Sequence, residues 1–239
     1  ASTVYAKPAV AGVANYIATA TASNGCTTSS TVPVTVNSCA VFSTLNLNLF
    51  LEGFYTGSGT MRATKFDLGL SADPTATDDI MVNLWSIATL ANPNPDHSLS
   101  TLLHTDGTAT VDFPATVSGN SFYIAIKHRN SIETWSKLPV LFTSTTTYDF
   151  SNALSKAFDD GVNSPMAAMG SNVFALYGAD VNQDGTIDAS DMSDVDNDIS
   201  IFAFGYNATD ASGDGATDAS DISLVDNNQQ LFLFYARPY

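Results

Sequence analysis

Asp180-Val-Asn182-Gln-Asp184-Gly185-Thr186-Ile187-Asp188-Ala-Ser-Asp191 is written a second time thirty residues on, as Asp210-Ala-Ser212-Gly-Asp214-Gly215-Ala216-Thr217-Asp218-Ala-Ser-Asp221. In both copies oxygen-bearing side chains fall at positions 1, 3, 5, 9 and 12, and glycine stands at position 6. Glycine there permits a sharp backbone turn, and the residue after it, Thr186 or Ala216, offers its main-chain carbonyl. All these donors are hard oxygens, the ligand type that Ca²⁺ gathers in sets of six to eight. The expectation is two bound Ca²⁺ ions, one per loop. The competing reading keeps Asp for turns alone, since Asp-Gly is also a hairpin signal.

The repeat reaches past the ligands. Ala189-Ser-Asp191 recurs as Ala219-Ser-Asp221, Val195-Asp-Asn197 as Val225-Asp-Asn227, and Phe202 and Phe204 as Phe232 and Phe234. Each unit therefore reads as a loop, a short helix and an aromatic segment, and two such units must pack on each other to bury a core. In this form the repeat resembles the dockerin-type calcium repeat, a relative of the EF-hand loop in which one helix follows each loop. Position 12 is Asp rather than the Glu of an EF-hand, and Ser212 is a weaker ligand than Asn182, which makes the second site the weaker of the two.

A closer resemblance rests on Gly178-Ala-Asp-Val-Asn-Gln-Asp-Gly185, Val195-Asp-Asn-Asp198, Gly205-Tyr206 and Thr209-Asp-x-x-Gly-Asp-Gly215, preceded by Tyr123-Ile-Ala-Ile-Lys-His-Arg-Asn-Ser-Ile-Glu-Thr-Trp-Ser136. Together these are similar to the C-terminal module of large secreted surface proteins of Bacteroidota, over roughly residues 40–239. The resemblance implies an immunoglobulin- or PKD-like end, a β-sandwich and the calcium repeat, in an adhesin-like exported protein.

Composition agrees with a folded chain of about two domains: 239 residues, 44% hydrophobic, with a formal charge of −16. Twelve of the 24 acidic residues lie between 178 and 239, where Arg237 is the one basic residue, a local imbalance that bound cations relieve. Eight Lys and Arg give no basic footprint for nucleic acid. No run approaches the roughly 18 apolar residues of a transmembrane segment. The chain opens on Ala1 without Met or a signal-like segment, as a processed or excised piece would.

Abundant Ser and Thr, scarce Lys and modest calcium ligands point to an extracellular or cell-surface setting, where calcium is plentiful. Cys26 and Cys39 would close a short loop there, contributing about 3 kcal/mol by chain entropy. Two buried thiols are the alternative. Two lone cysteines fall short of the four ligands of structural zinc.

The fold expected is mainly β. Residues 1–40 carry strands of an incomplete immunoglobulin- or PKD-like domain: Thr3–Val10, then Asn15–Ser23 and Thr31–Val36 joined through Asn24-Gly25. Residues 41–150 alternate as a β-sandwich, with Leu45, Leu47, Leu49 and Leu51, then Ile80, Val82 and Leu84, then Phe122, Ile124 and Ile126 turned inward. Residues 151–177 read as a connector, and 178–239 as the duplicated calcium module with helices near Ala189–Asp196 and Ala219–Asp226. The apolar tail Leu231–Tyr239 needs burial, and its counterpart Ile201–Tyr206 is the expected pairing partner.

No His-Glu-x-x-His and no Gly-x-Ser-x-Gly elbow occurs. Of two glutamates, Glu133 is expected to pair with Arg129, so an enzyme is not expected and no catalytic residue is assigned. Phe54, Tyr55, Trp85, Tyr123 and Trp135 are the candidates for stacking on glycans. The function expected is a calcium-stabilised structural or adhesion protein, a subunit of a surface fibre or filament assembled head to tail. Its partners would be copies of itself or neighbouring domains, with glycans a further class. The alternative is a dockerin or carbohydrate-binding region of a secreted polysaccharide-degrading enzyme.

Overall fold

A computed structural model describes residues 12–36 and 42–238, in two compact units, Ala1–Val41 and Phe42–Tyr239. The expected strand at Thr3–Val10 and the residue Cys39 lie outside the described residues, and with Cys39 the proposed disulfide; Cys26 is exposed at the end of a turn.

In the first unit β1 (Gly12–Thr21) pairs antiparallel with β2 (Thr27–Val36). Gly25, at φ 86°, donates its N–H to the Ala22 carbonyl, and Ala22 donates to Cys26 O at 2.8 Å, closing a three-residue turn. Strand alternation puts Tyr16, Ala18, Ala20, Val32 and Val34 on one face and Ile17 on the other. Tyr16, Val32 and Ile17 are all exposed. Counting in twos from the bonded Ala22–Cys26 pair places Pro33, opposite Asn15, at a non-bonded pair. Its nitrogen therefore faces the open edge of β2, the place a residue without N–H tolerates.

The second unit runs β3 (Phe42–Asn48), β4 (Tyr55–Gly57), β5 (Thr60–Met61), α1 (Thr64–Asp67), β6 (Ala76–Trp85), β7 (His97–His104), β8 (Thr108–Pro114), β9 (Ser121–His128), β10 (Ser131–Trp135), β11 (Val140–Leu141), β12 (Thr145–Asp149), β13 (Ala167–Gly170), β14 (Val173–Ala175), α2 (Ala189–Ser200) and α3 (Ala219–Gln229). One sheet has the order β10-β9-β6-β7, with β11 also on β9; a second has the order β12-β3-β8, in which β12 lies parallel to β3. Their inward residues share one core: Leu45, Leu47, Val111 and Phe113 from the smaller sheet, Ile80, Val82, Leu84, Leu103, Ile124 and Ile126 from the larger. The result is a mainly β chain with sandwich-like layers.

Residues 151–177 do more than connect. They hold the β13–β14 hairpin and put Met166, Ala175 and Leu176 into the core at 0% exposure. The five candidate sugar-stacking aromatics are corrected too. Phe54, Trp85 and Trp135 are buried at 6% exposure or less, Phe54 in the core between the sheets and the two Trp in a separate cluster with Leu90 and Ala125, since burying such large rings is favourable. Tyr123 and Tyr55 are half-buried, Tyr123 against Trp135 and Tyr55 against Phe50.

Candidate functional site: a duplicated acidic loop and helix

Each loop ends in a helix that its own carboxylates start. Asp188 and Asp218 are the N-caps of α2 and α3, accepting from the amides of Ser190 and Ser220 at 2.7 Å. Asp191 and Asp221 complete capping boxes by accepting from the amides of Asp188 and Asp218. Their other oxygens reach back across the loop: Asp191 Oδ1 accepts from Val181 and Asn182, and Asp221 Oδ1 from Ser212. Position 12 thus ties the loop's beginning to its end.

Short turns hold the remaining oxygens. Asn182 Oδ1 accepts from the Asp184 amide at 2.8 Å, Asp184 Oδ1 from that of Thr186 at 2.9 Å, and Asp214 Oδ1 from that of Ala216 at 3.1 Å. Asp210 accepts from the amides of Asp214 and Gly215, each at 3.1 Å, with the Ser212 hydroxyl at 3.5 Å. Asp180 and Asp210 are 2% and 0% exposed, whereas Asp184, Asp188, Asp214 and Asp218 are exposed. Asp180 Oδ1 is buried with no hydrogen-bond partner. Among the described residues, no three His, Cys, Asp or Glu side chains converge on one point.

The electrostatics follow the burial. Burial, with the charges of Asp191 and Asp184, pushes Asp180 up to about 7. Burial also pushes Asp210 up, to about 6, against the lowering influence of Arg129. Asp191 and Asp221 are raised by burial, while Asp188 and Asp218 are lowered by the amides and hydroxyls of Ser190 and Ser220.

The two repeats exchange their aromatic segments. Ile187 donates to Leu233 O and Tyr235 to Gly185 O; thirty residues earlier in the tail and later in the loop, Thr217 donates to Ala203 O and Gly205 to Gly215 O. Thr186 bridges Phe234, and Ala216 bridges Phe204. The expected pairing of Ile201–Tyr206 with Leu231–Tyr239 is therefore corrected. Each helix carries the chain across to the other loop, whose free main-chain groups at positions 6–8 take up the segment that follows. Among the tail's described residues Leu233, at 3%, and Pro238 are buried; Phe202, Phe204 and Phe232 are more than 80% exposed.

The helices bury Val195 and Val225 in a core shared with Ile187, Ala211 and Leu233, and also with Ile132 of β10 and Ala167 of β13. The second loop lies close against the strands. A Cβ on Gly53 would fall 2.0 Å from Ala211 O, and one on Gly213 2.5 Å from the Phe54 ring. Glu52 accepts from Gly178 N and Asn228 Nδ2, and Asn130 donates to the carbonyls of Ala208 and Asp210.

Arg129 is the group that sequence reasoning misplaced. Glu133 pairs with Lys127 at 3.1 Å and accepts from Trp135 Nε1. Arg129, on the β9–β10 turn, instead donates Nε to Asp78 Oδ2 at 2.9 Å and Nη1 to Asn207 O. Its guanidinium stacks on Tyr206 at 4.6 Å, and its Nη2 lies 3.7 Å from Asp210 Oδ2. Burial alone would raise Asp78, but His128, Arg129 and Tyr206 hold it well below the usual carboxylate range. The Lys-His-Arg-Asn run at the turn was the visible signal; its partners, fifty to eighty residues away, were not.

No family model matches this chain. No curated protein matches it either. Among solved structures it is similar to an N-terminal interface mutant of a type II cohesin-X-dockerin complex from Acetivibrio cellulolyticus, at 16% identity and a TM-score of 0.44 over 78% of this chain and 94% of the other. So distant a likeness carries no argument about fold or function.

Proposed function

We propose that the chain is a calcium-stabilised structural segment of an extracellular surface protein, serving adhesion or assembly rather than catalysis. The observation that carries the reading is Asp180. A carboxylate at 2% exposure with an unpartnered oxygen, at position 1 of a loop whose other donors are oxygens, is a group awaiting a hard cation. Asn182, Asp184, the Thr186 carbonyl, Asp188 and Asp191 would hold one ion; Ser212, Asp214, the Ala216 carbonyl, Asp218, Asp221 and Asp210 the other. The short turns leave a second oxygen on Asp184 and Asp188 without a partner among the described residues. Bound Ca²⁺ supplies two positive charges against the four carboxylates of each loop. The resemblance to the dockerin-type repeat, and to the C-terminal modules of Bacteroidota surface proteins, is the supporting analogy.

Calcium titration by calorimetry should give two ions per folded chain, with affinities in the range of roughly 0.1–1 mM that extracellular modules use, or tighter. Asp184→Ala should remove one of the two. A folded chain that takes up no calcium at several millimolar sinks the reading.

Assembly is the second half of the proposal. A lone hairpin is marginally stable in water, and this one leaves an apolar face exposed. With Pro33 blunting β2, the uninterrupted edge among the described residues is that of β1. Residues 12–36 carry no charge in a chain of −16, so the hairpin is where like-charged copies can meet at least electrostatic cost. We therefore take the occupant to be a second copy, its sheet extended by main-chain hydrogen bonds to β1. A head-to-tail contact of this kind builds open filaments unless it closes a ring. Light scattering should show concentration-dependent growth for the full chain and a monomer for the chain lacking residues 1–41. A full chain that stays monomeric at high concentration rules assembly out.

A further inference from the structure

The two loops have nearly the same ligands and very different neighbours. Around the first, Gln183 Nε2 donates to Asp180 O and Ser131 O, and the nearby cleft holds Lys127 and Arg237. Lys127 is engaged by Glu133, while Arg237 donates to Leu90 O and stacks on Trp85 and Trp135. Neither cation forms an ion pair with Asp180, whose Oδ1 stays unpartnered.

At the second loop a cation has been built in. Arg129 Nη2 is buried without a hydrogen-bond partner and stands 3.7 Å from Asp210 Oδ2, with Asp210 itself at 0% exposure. The guanidinium is not free to drift. Asp78, Asn207 O and the rings of Tyr206 and Phe54 hold it on three sides. The loop is also clamped against the strands: Asn130 binds the Asp210 carbonyl, and Thr64 Oγ1 donates to Gly213 O at 2.5 Å.

We infer that Arg129 acts as a resident counter-ion of the second loop, setting its calcium affinity below that of the first and making the loops fill in sequence, first loop before second. This rests on the calcium reading above. A divalent ion at Asp210 must share a buried carboxylate with a fixed positive charge. Two cations separated by one carboxylate repel strongly where the effective dielectric is low, by enough to weaken binding about tenfold or more. The first loop meets no such charge at its position-1 carboxylate. The loop so positioned is also the one pressed on the β9–β10 turn, so its occupancy reads out the state of the strands beneath it.

The test is a calcium titration of the full chain followed by NMR, with the amides of Gly185 and Gly215 reporting the loops separately, since Gly215 N–H bonds Asp210 directly. Arg129→Gln alone would leave the buried Asp78 with only His128 and Tyr206, so the informative variant is Arg129→Gln with Asp78→Asn, which removes both charges. In the native chain the Gly185 signal should move at lower calcium than that of Gly215. In the folded double variant the Gly215 midpoint should fall about tenfold or more toward the Gly185 midpoint, which itself stays put. Native loops that fill together, or a Gly215 midpoint unmoved or raised in the double variant, overturn the inference while leaving calcium binding intact. If neither signal responds in any chain, the calcium reading falls and takes this inference with it.

Discussion

Chelation of calcium should lower the melting temperature by about 5–20 °C. A ligand present at about 10 to 100 times its dissociation constant stabilises the folded state by about 1.4–2.7 kcal/mol per site. Two sites give about 3–5 kcal/mol, and each kcal/mol moves the midpoint by about 2–4 °C for a domain of this size. Each loop carries four carboxylates within twelve residues, two of them buried, and without the metal their charge is unrelieved. The loosening should begin at residues 178–238 but not stop at their boundary, because Val195, Val225 and Leu233 share a core with Ile132 and Ala167. Hydrogen exchange after chelation should therefore rise in both loops, in α2 and α3, and in the turn at Arg129–Ile132, while β3, β6 and β8 stay protected. A melting curve indifferent to excess chelator would defeat this, and so would uniform loosening of the whole second unit.

Most of what alternation can show was legible. Leu45, Leu47, Leu49 and Leu51 are all buried, as are Ile80, Val82, Leu84, Ile124 and Ile126. A period of two tells which face turns inward but not which strand lies alongside. The parallel seat of β12 on β3, a hundred residues away in sequence, therefore had no signal. The acidic loops were readable because their hydrogen bonds are local: twelve residues contain every candidate ligand, and the Asp at position 9 of each loop caps its helix. The helices run beyond the expected Asp196 and Asp226, to Ser200 and Gln229, since no Gly or Pro interrupts them. What stayed hidden was long-range. Gly53 shows its purpose only when Ala211 O is seen lying where its side chain would be. Arg129 had a plausible partner four residues away and a real one in Asp78, on the neighbouring strand of the sheet. The crossing of the aromatic segments was missed for the same reason: repeat periodicity marks equivalent residues, and equivalent residues in a twofold pair need not touch each other.

Calcium should also reverse the sign of the chain's pH dependence between about pH 4.5 and 7.5, the clearest signature that the buried aspartates are the ligands. Without metal, Asp180 is pushed up to about 7 and Asp210 to about 6, from an ordinary value of 3.8. The folded chain then holds protons in this window that the unfolded chain has released. Their stabilising contribution is fully present below about pH 4 and is lost as pH rises through about 6 and then 7, so the metal-free chain weakens with rising pH. After discounting for solvent screening, the two together amount to on the order of 3 kcal/mol. Glu52, Asp191 and Asp221, all raised by burial, slope the same way. His128, lowered by burial, slopes the other way, its stability being lost as pH falls. Asp78 is held so low that it acts only in stronger acid. With saturating calcium the same two aspartates must ionise to bind, so protons compete with metal and stability rises with pH across the window. Thermal melts at four or five pH values, with chelator and with calcium, give both slopes. Asp180→Asn should reduce the metal-free slope, most of all above about pH 6, since it removes the group raised furthest while keeping the shape and leaves Asp210 to titrate. Parallel slopes with and without calcium, or a metal-free slope unchanged in Asp180→Asn, would show that these carboxylates neither store the protons nor take up the metal.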